Sequence, residues 1–201
     1  MISGLRLISE IYLFINSTLF QGRQVRLSMV SFETAVKSDK ENLKKTLLLS
    51  FMEASKQDFG VDTVLPPGVK DGSQIENAFQ KQTMYSIKDG RELIGGIIIE
   101  LRESKEYYLQ TLWIIPKYQS KKIGHKALEF IETNHPYAES WILETPKQSK
   151  RNIYFYEKNG YKKFDEKSFN DGKIVLVFYR KKMKRVRTSI DQNWQVTRSR
   201  K

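Results

Sequence analysis

The chain of 201 residues is long enough for one well-buried domain and short for two, and its 39% hydrophobic and 12% aromatic residues suffice for a packed core. With no cysteine and only two histidines, His125 and His135, disulfide frameworks, cysteine nucleophiles, thiolate metal sites and histidine-rich metal centres are excluded. Of the formal +12 charge, +2 sits in residues 1–28 and +4 in residues 185–201; the +6 left on residues 29–184 suits an anionic cofactor without demanding nucleic acid.

Residues Leu5 to Phe20 are partly apolar, but Glu10 and Asn16 interrupt them, and no apolar run reaches the roughly 18–20 residues of a membrane span. No small-residue cleavage site follows, so residues 1–28 are read as an N-terminal extension and the cytoplasm is the default location. Val30 to Lys37 alternates loosely and is rich in β-formers, which predicts a strand. Ser38 with Glu41 has capping-box spacing, and Leu43, Leu47, Phe51 and Ala54 then recur at helical spacing over about Lys40–Gln57. A loop with Gly60, Pro66, Pro67, Gly68 and Gly72 leads to a short helix over Ser73–Lys81.

Two strands follow, Thr83–Lys88 and Glu92–Arg102, joined by the hairpin signal Asp89-Gly90. After a polar turn, Tyr107–Ile115 is apolar on both faces, as a central strand should be, and Pro116 ends it. Ile123, Ala127, Leu128 and Ile131 mark a helix over Lys122–Thr133. Trp141–Thr145 reads as a strand, Asn152–Lys158 as a helix closed by Asn159-Gly160, and Ile174–Arg180 as a last strand. The order β, α, α, three-strand meander, α, β, α, β implies an α/β (α+β) fold: a mixed, mostly antiparallel central sheet flanked by helices. Residues 29–184 make up this domain, and 185–201 a basic C-terminal tail.

The most informative stretch runs from Leu112 to Leu128. An apolar strand stops at a proline, a polar loop follows, and a helix begins near Gly124. Such a junction aims unpaired backbone N–H groups and the positive end of the helix dipole at one spot. That spot suits a diphosphate, with Lys121 and Lys122 adding charge nearby.

Here the sequence resembles the GNAT superfamily of acyl-CoA N-acyltransferases. Its acyl-CoA motif, Gln/Arg-x-x-Gly-x-Gly/Ala after a strand ending in Val-x-Pro, is similar to Ile114-Ile115-Pro116, Gln119 and Gly124, with Lys122 standing where the first glycine is expected. A second motif, Ala-x-x-Phe-Tyr-Glu-Lys-x-Gly-Phe, resembles Asn152-Ile-Tyr-Phe-Tyr-Glu-Lys-Asn-Gly-Tyr161, with Asn152 in place of alanine. The two motifs stand in the family's order and, with the meander, cover roughly residues 30–182.

The resemblance implies an N-acetyltransferase that uses acetyl-CoA as co-substrate and no metal. The cofactor would lie between the splayed strands Tyr107–Ile115 and Trp141–Thr145. Cofactor contacts would come from Leu112, Trp113, Ile114, Gln119, Ser120, Lys121, Lys122, Ile123, Gly124, His125, Lys126, Asn152 and Tyr156. Tyr156 matches the family tyrosine that donates a proton to the departing sulfur, and its competing reading is a core ring beside Phe155. His125 has the competing reading of a surface or packing residue. Glu100, Gln110 and Glu144 all lie on strands near the expected chemistry, and none is nominated as the base. The acceptor is read as a small-molecule or peptide amine, its pocket walled in part by the Gly60–Gly72 loop. No membrane partner is expected, and a homodimer is left open. Two rival readings are an acyl-CoA-binding sensor without turnover and a nucleic-acid-binding protein using Lys181–Arg187. Nucleic acid is the weaker, because the tail lacks interleaved aromatics apart from Trp194.

Overall fold

The computed structural model describes residues 29–169, 172 and 174–184. The extension 1–28 and the tail 185–201, including Trp194, lie outside the described residues. The first strand, β1 (Val30–Thr34), is shorter than expected. The chain leaves the sheet at Ala35 and makes a single 3-10 turn over Lys37–Asp39 before helix α1 (Lys40–Phe59). The capping box expected at Ser38 and Glu41 does not form. Asp39 does that work instead, accepting the Val36 amide at 3.3 Å and the Ser86 hydroxyl at 2.8 Å, while Glu41 pairs with Lys44 at 2.9 Å. Sequence spacing located a helix start correctly but chose the wrong carboxylate, because the extra turn shifts the first unpaired amides by a few residues. Gly60, at φ 75°, closes α1 in the left-handed conformation that glycine adopts without penalty.

Helix α2 (Ser73–Lys81) precedes the meander β2 (Thr83–Asp89), β3 (Glu92–Leu101) and β4 (Glu106–Ile114). Then come α3 (Ile123–Asn134), β5 (Ser140–Pro146), α4 (Lys150–Lys158), β6 (Lys162–Phe169) and β7 (Ile174–Lys182). The strands form one seven-stranded sheet in the order β1-β2-β3-β4-β5-β7-β6. Every pairing is antiparallel except β4 with β5. The sequence reading missed β6. Its residues, Lys-Lys-Phe-Asp-Glu-Lys-Ser-Phe, show no apolar alternation, because this is an edge strand paired only with β7 and largely solvated.

The helices cover both faces of the sheet. On one side Leu43 and Leu47 of α1 and Ile75 and Ala78 of α2 pack with Met84, Ile98 and Trp113. On the other, Ile123, Ala127, Leu128 and Ile131 of α3 and Tyr156 of α4 pack with Ile97, Leu109, Trp141 and Leu143. Room for the Trp113 ring comes from Gly96, where a Cβ would lie 2.3 Å from that ring. The indole then donates to Thr46 Oγ1 at 3.1 Å, which ties β4 to α1.

Candidate active site

Strands β4 and β5 pair over only three rungs, Glu106 with Ser140, Tyr107 with Trp141 and Tyr108 with Ile142. Beyond Tyr108 they part, so the β5-facing edge of Leu109–Ile114 has no strand partner. A β-bulge sits at the parting point: Ile98 pairs with Thr111 and Ile99 with Leu109, leaving Gln110 without a rung. Bulges bend a strand and re-aim side chains, and they concentrate beside active sites. Here the bulge turns Leu109 toward α3 and Thr111 toward α2. Leu112 and Ile114 are half-buried and pack against the α3-side core, so what they offer at the open edge is backbone. Trp113 faces the opposite core with its ring buried.

At the end of β4 the chain turns through Pro116–Tyr118 and enters α3. The first main-chain bond of the helix runs from the Lys126 amide to the Lys122 carbonyl, 3.2 Å. Among the described residues, no carbonyl accepts from the amides of Ser120, Lys121, Lys122, Ile123, Gly124 or His125. Ser120 (φ 61°) and Lys122 (φ 60°) are both left-handed. Left-handed residues alternating with ordinary ones roll successive N–H groups into a concave nest that fits phosphate oxygens. The same geometry explains a glycine at the position of Lys122: lysine takes the conformation at a cost of about 1 kcal/mol.

The remaining expected cofactor residues divide by what they touch. Gln119 braces the loop, its amide bonded to Pro116 and its side chain donating to the Ile114 carbonyl at 2.7 Å. Arg151 of α4 donates to its other end at 2.8 Å. Gly124 allows α3 to approach α4, since a Cβ there would stand 3.1 Å from the Phe155 ring. His125 Nδ1 bonds Asn159 Oδ1 at 2.5 Å, tying the first turn of α3 to the end of α4. Lys121 lies over the Tyr118 ring at 4.7 Å, and Lys126 is exposed. Asn152 donates to Thr145 Oγ1 at 3.3 Å and fixes α4 to β5.

Tyr156 is buried between Phe155 and Tyr161, with ring centroids 5.1 and 5.8 Å away. Burial first, and the Glu144 carboxylate second, push its hydroxyl well above the ordinary phenol pKa. Glu144 in turn accepts the Tyr108 hydroxyl at 2.5 Å across the last rungs before the strands part. Burial and this bond raise the Tyr108 pKa as well. Arg102 sits 4.0 Å over the Tyr108 ring, and Glu100 is its in-register neighbour on β3. Glu100, Tyr108 and Glu144 thus form a polar row across three strands, which ends near Tyr156.

On the α2 side, a cleft of about 430 Å³ opens among Pro67, Gly68, Gln74, Gln82, Glu100 and Gln110. Of these, Glu100 and Gln110 were legible as strand residues near the chemistry. Gln74 and Gln82 were not considered, whereas Tyr108 belongs with Tyr107, Trp113 and Tyr118 to an aromatic group that reads as core or rim, one or two of whose rings could shape the acceptor pocket. Gln74, Asn77 and Lys81 do recur at one-face helical spacing on α2, and that polar stripe was the available signal.

A protein-family model described as "Acetyltransferase (GNAT) domain" matches residues 80–163, which contain the parted strands, the amide-lined turn and α4. The chain is also 30% identical over 128 residues to the uncharacterised protein YrkN of Bacillus subtilis, covering 63% of this chain and 69% of that one. The chain belongs to the GNAT acetyltransferase family. The PaiA N-acetyltransferase of Thermoplasma acidophilum, solved in complex with coenzyme A, has the same fold: TM-score 0.61 and 19% identity over 77% of this chain and 99% of that one. A GNAT family acetyltransferase of Elizabethkingia anophelis with acetyl-CoA bound matches with TM-score 0.56 and 14% identity, over 77% and 98% of the two chains. This GNAT protein is accordingly an acyltransferase, with the mixed, mostly antiparallel sheet of the family. Among its described residues, no helix is long and apolar enough to cross a membrane, and no group of three or more acidic or histidine side chains is placed to hold a metal.

Proposed function

We propose that this GNAT protein transfers the acetyl group of acetyl-CoA to a primary amine by direct attack in a ternary complex. The observation that carries the reading is the six unpartnered amides of residues 120–125 beside the unpaired edge of β4. Residues 120–125 would hold the diphosphate through main-chain donors, and the open edge of Leu109–Ile114 would lie along the pantetheine arm. Gln119, Gly124, His125 and Asn152 act by positioning this turn against α4 and β5, through the contacts described above.

Attack of a neutral amine nitrogen on the thioester carbon breaks the C–S bond and leaves sulfur with negative charge. Tyr156 offers its O–H to that charge. With its pKa above about 10, complete transfer to a thiolate of reference pKa about 8.5 is uphill, so the hydroxyl works as a hydrogen-bond donor to the developing charge. Lys122 adopts the backbone conformation a glycine would, so its departure from the motif gives no support to a sensor without turnover. The rival that uses Lys181–Arg187 loses its first cation to the fold, since Lys181 and Lys182 belong to β7 and Lys181 pairs with Glu132 at 2.7 Å, while residues 185–187 lie outside those described.

Calorimetry with millimolar coenzyme A tests the reading: binding heat and an upward shift in melting temperature are expected. No heat and no shift would overturn it.

A further inference from the structure

The walls of the cleft beside Gln110 carry a surplus of hydrogen-bond acceptors. Gln74 Oε1 and Gln110 Oε1 are both buried and have no hydrogen-bond partner. Glu100, the carboxylate of the lining, receives the Gln82 amide at 3.3 Å on one oxygen. Several wall donors are already engaged within the wall. The Gln74 amide donates to Thr111 Oγ1 at 2.8 Å, and the Ser73 hydroxyl to Asp71 at 2.8 Å. Asn77 and Lys81 are exposed at the rim. A buried oxygen left without a donor costs about 1–3 kcal/mol, so an occupant that brings N–H and O–H groups is favoured over one that does not.

Resting on the acetyltransferase reading, we propose that this cleft selects an aliphatic amine, bound as the ammonium, whose tail carries further neutral N–H or O–H donors. The ammonium gives its positive charge and donors to Glu100 and to one of the two unpartnered amide oxygens. A tail donor meets the other amide oxygen, which the ammonium does not reach. Arylamines, which are neutral at pH 7, bring too few donors and no charge. Plain alkylamines bring the charge but leave an amide oxygen unpaired. Before attack the ammonium releases one proton to solvent. The second proton lost as the amide forms ends on the sulfur, giving N-acetylated amine and coenzyme A thiol.

The test uses the full chain with acetyl-CoA and follows thiol release. Aminopropanediol, n-propylamine, β-alanine and aniline serve as matched small acceptors. Binding of aminopropanediol to the coenzyme A complex is measured in parallel by calorimetry. The expected order in kcat/KM is aminopropanediol first, by about tenfold over n-propylamine, which is the effect of one unpaired buried oxygen. Glu100→Gln and Gln110→Leu should each raise KM for aminopropanediol at least about tenfold, with KM for acetyl-CoA unchanged. Preference for aniline or β-alanine, or a KM that stays within twofold in both variants, overturns the proposal while coenzyme A binding still upholds the family mechanism. If coenzyme A fails to bind, both readings fall together. If it binds but aminopropanediol neither binds nor reacts, only the acceptor proposal falls.

Discussion

At the scale of single residues, Tyr156 and Lys122 show how one side chain carries chemistry or geometry. The Tyr156 hydroxyl must hold its proton to donate. Because burial and Glu144 raise its pKa above the ordinary value of 10, it stays protonated across the working range. Tyr156→Phe should lower kcat by about tenfold to a hundredfold and leave KM for acetyl-CoA unchanged, the pattern of a group used mainly in the transition state. In the native protein, the pH–rate profile should show no basic limb from this group below pH about 10. Equal turnover of the two proteins at every pH would remove Tyr156 from the mechanism. Lys122→Gly relieves a left-handed lysine, so it should stabilise the fold by up to about 1 kcal/mol with coenzyme A affinity retained. A loss of stability in chemical denaturation would show that the lysine side chain contributes something beyond its backbone conformation. The identity of Tyr156 as a candidate was legible in the sequence, from the motif around it. The left-handed turn at Lys122 was not, since nothing in a lysine announces a positive φ.

At the scale of elements, the site depends on how strands are held next to each other and where they are released. Trp113 fixes the end of β4 to α1, and the space for its ring exists only because Gly96 on β3 has no side chain. Gly96→Ala should cost about 2 kcal/mol or more, since a core overpacked by one carbon must move a buried ring. A midpoint of urea unfolding equal to that of the native protein would refute this packing argument. The far edge of the sheet behaves differently. Glu166 on β6 is held by Lys147 at 2.7 Å and Lys163 at 2.6 Å, and hydrogen bonds from these lysines bring its pKa down to about 2 from an ordinary 4.5. A depressed carboxylate pKa contributes stability that is full above the unfolded pKa and is lost as pH falls through the folded one. Protection of the β6 amides, taken relative to the intrinsic exchange rate at each pH, should therefore fall between pH about 4.5 and 2, and this fall should be absent from a Glu166→Gln variant, which starts with the looser edge. Protection that is unchanged over that interval would mean the pairs are too exposed to matter.

At the scale of the whole molecule, charge and ligand binding act on the protein as a unit. If residues 29–184 are the catalytic unit, deleting 185–201 should leave acetyl transfer within about twofold of the full chain, although it removes +4 of charge. A truncated protein that still binds coenzyme A but loses turnover would assign the tail to the acceptor side. Affinity for a short DNA duplex that disappears with the tail and falls steeply with salt would instead revive the nucleic-acid reading.

Local chemistry was readable in the chain itself. Apolar periodicity marked two helices, neighbouring loop and turn residues placed the other two, and β-rich runs between turn signals marked six of seven strands. A proline-ended strand followed by a polar loop and a helix start located the amide-lined turn, because backbone N–H groups at a helix start are unpaired whatever the side chains are. Strand β6 escaped because a solvated edge strand needs no apolar pattern. What only the tertiary structure decided were relations between distant residues. These are the bulge at Gln110, the rung at which the splayed strands β4 and β5 part, the Tyr108–Glu144 bond and the cleft joining α2 to β3 and β4. Each depends on register between strands, and register is set by the packing of the whole sheet against its helices. A one-residue slip would turn every one of those side chains to the opposite face.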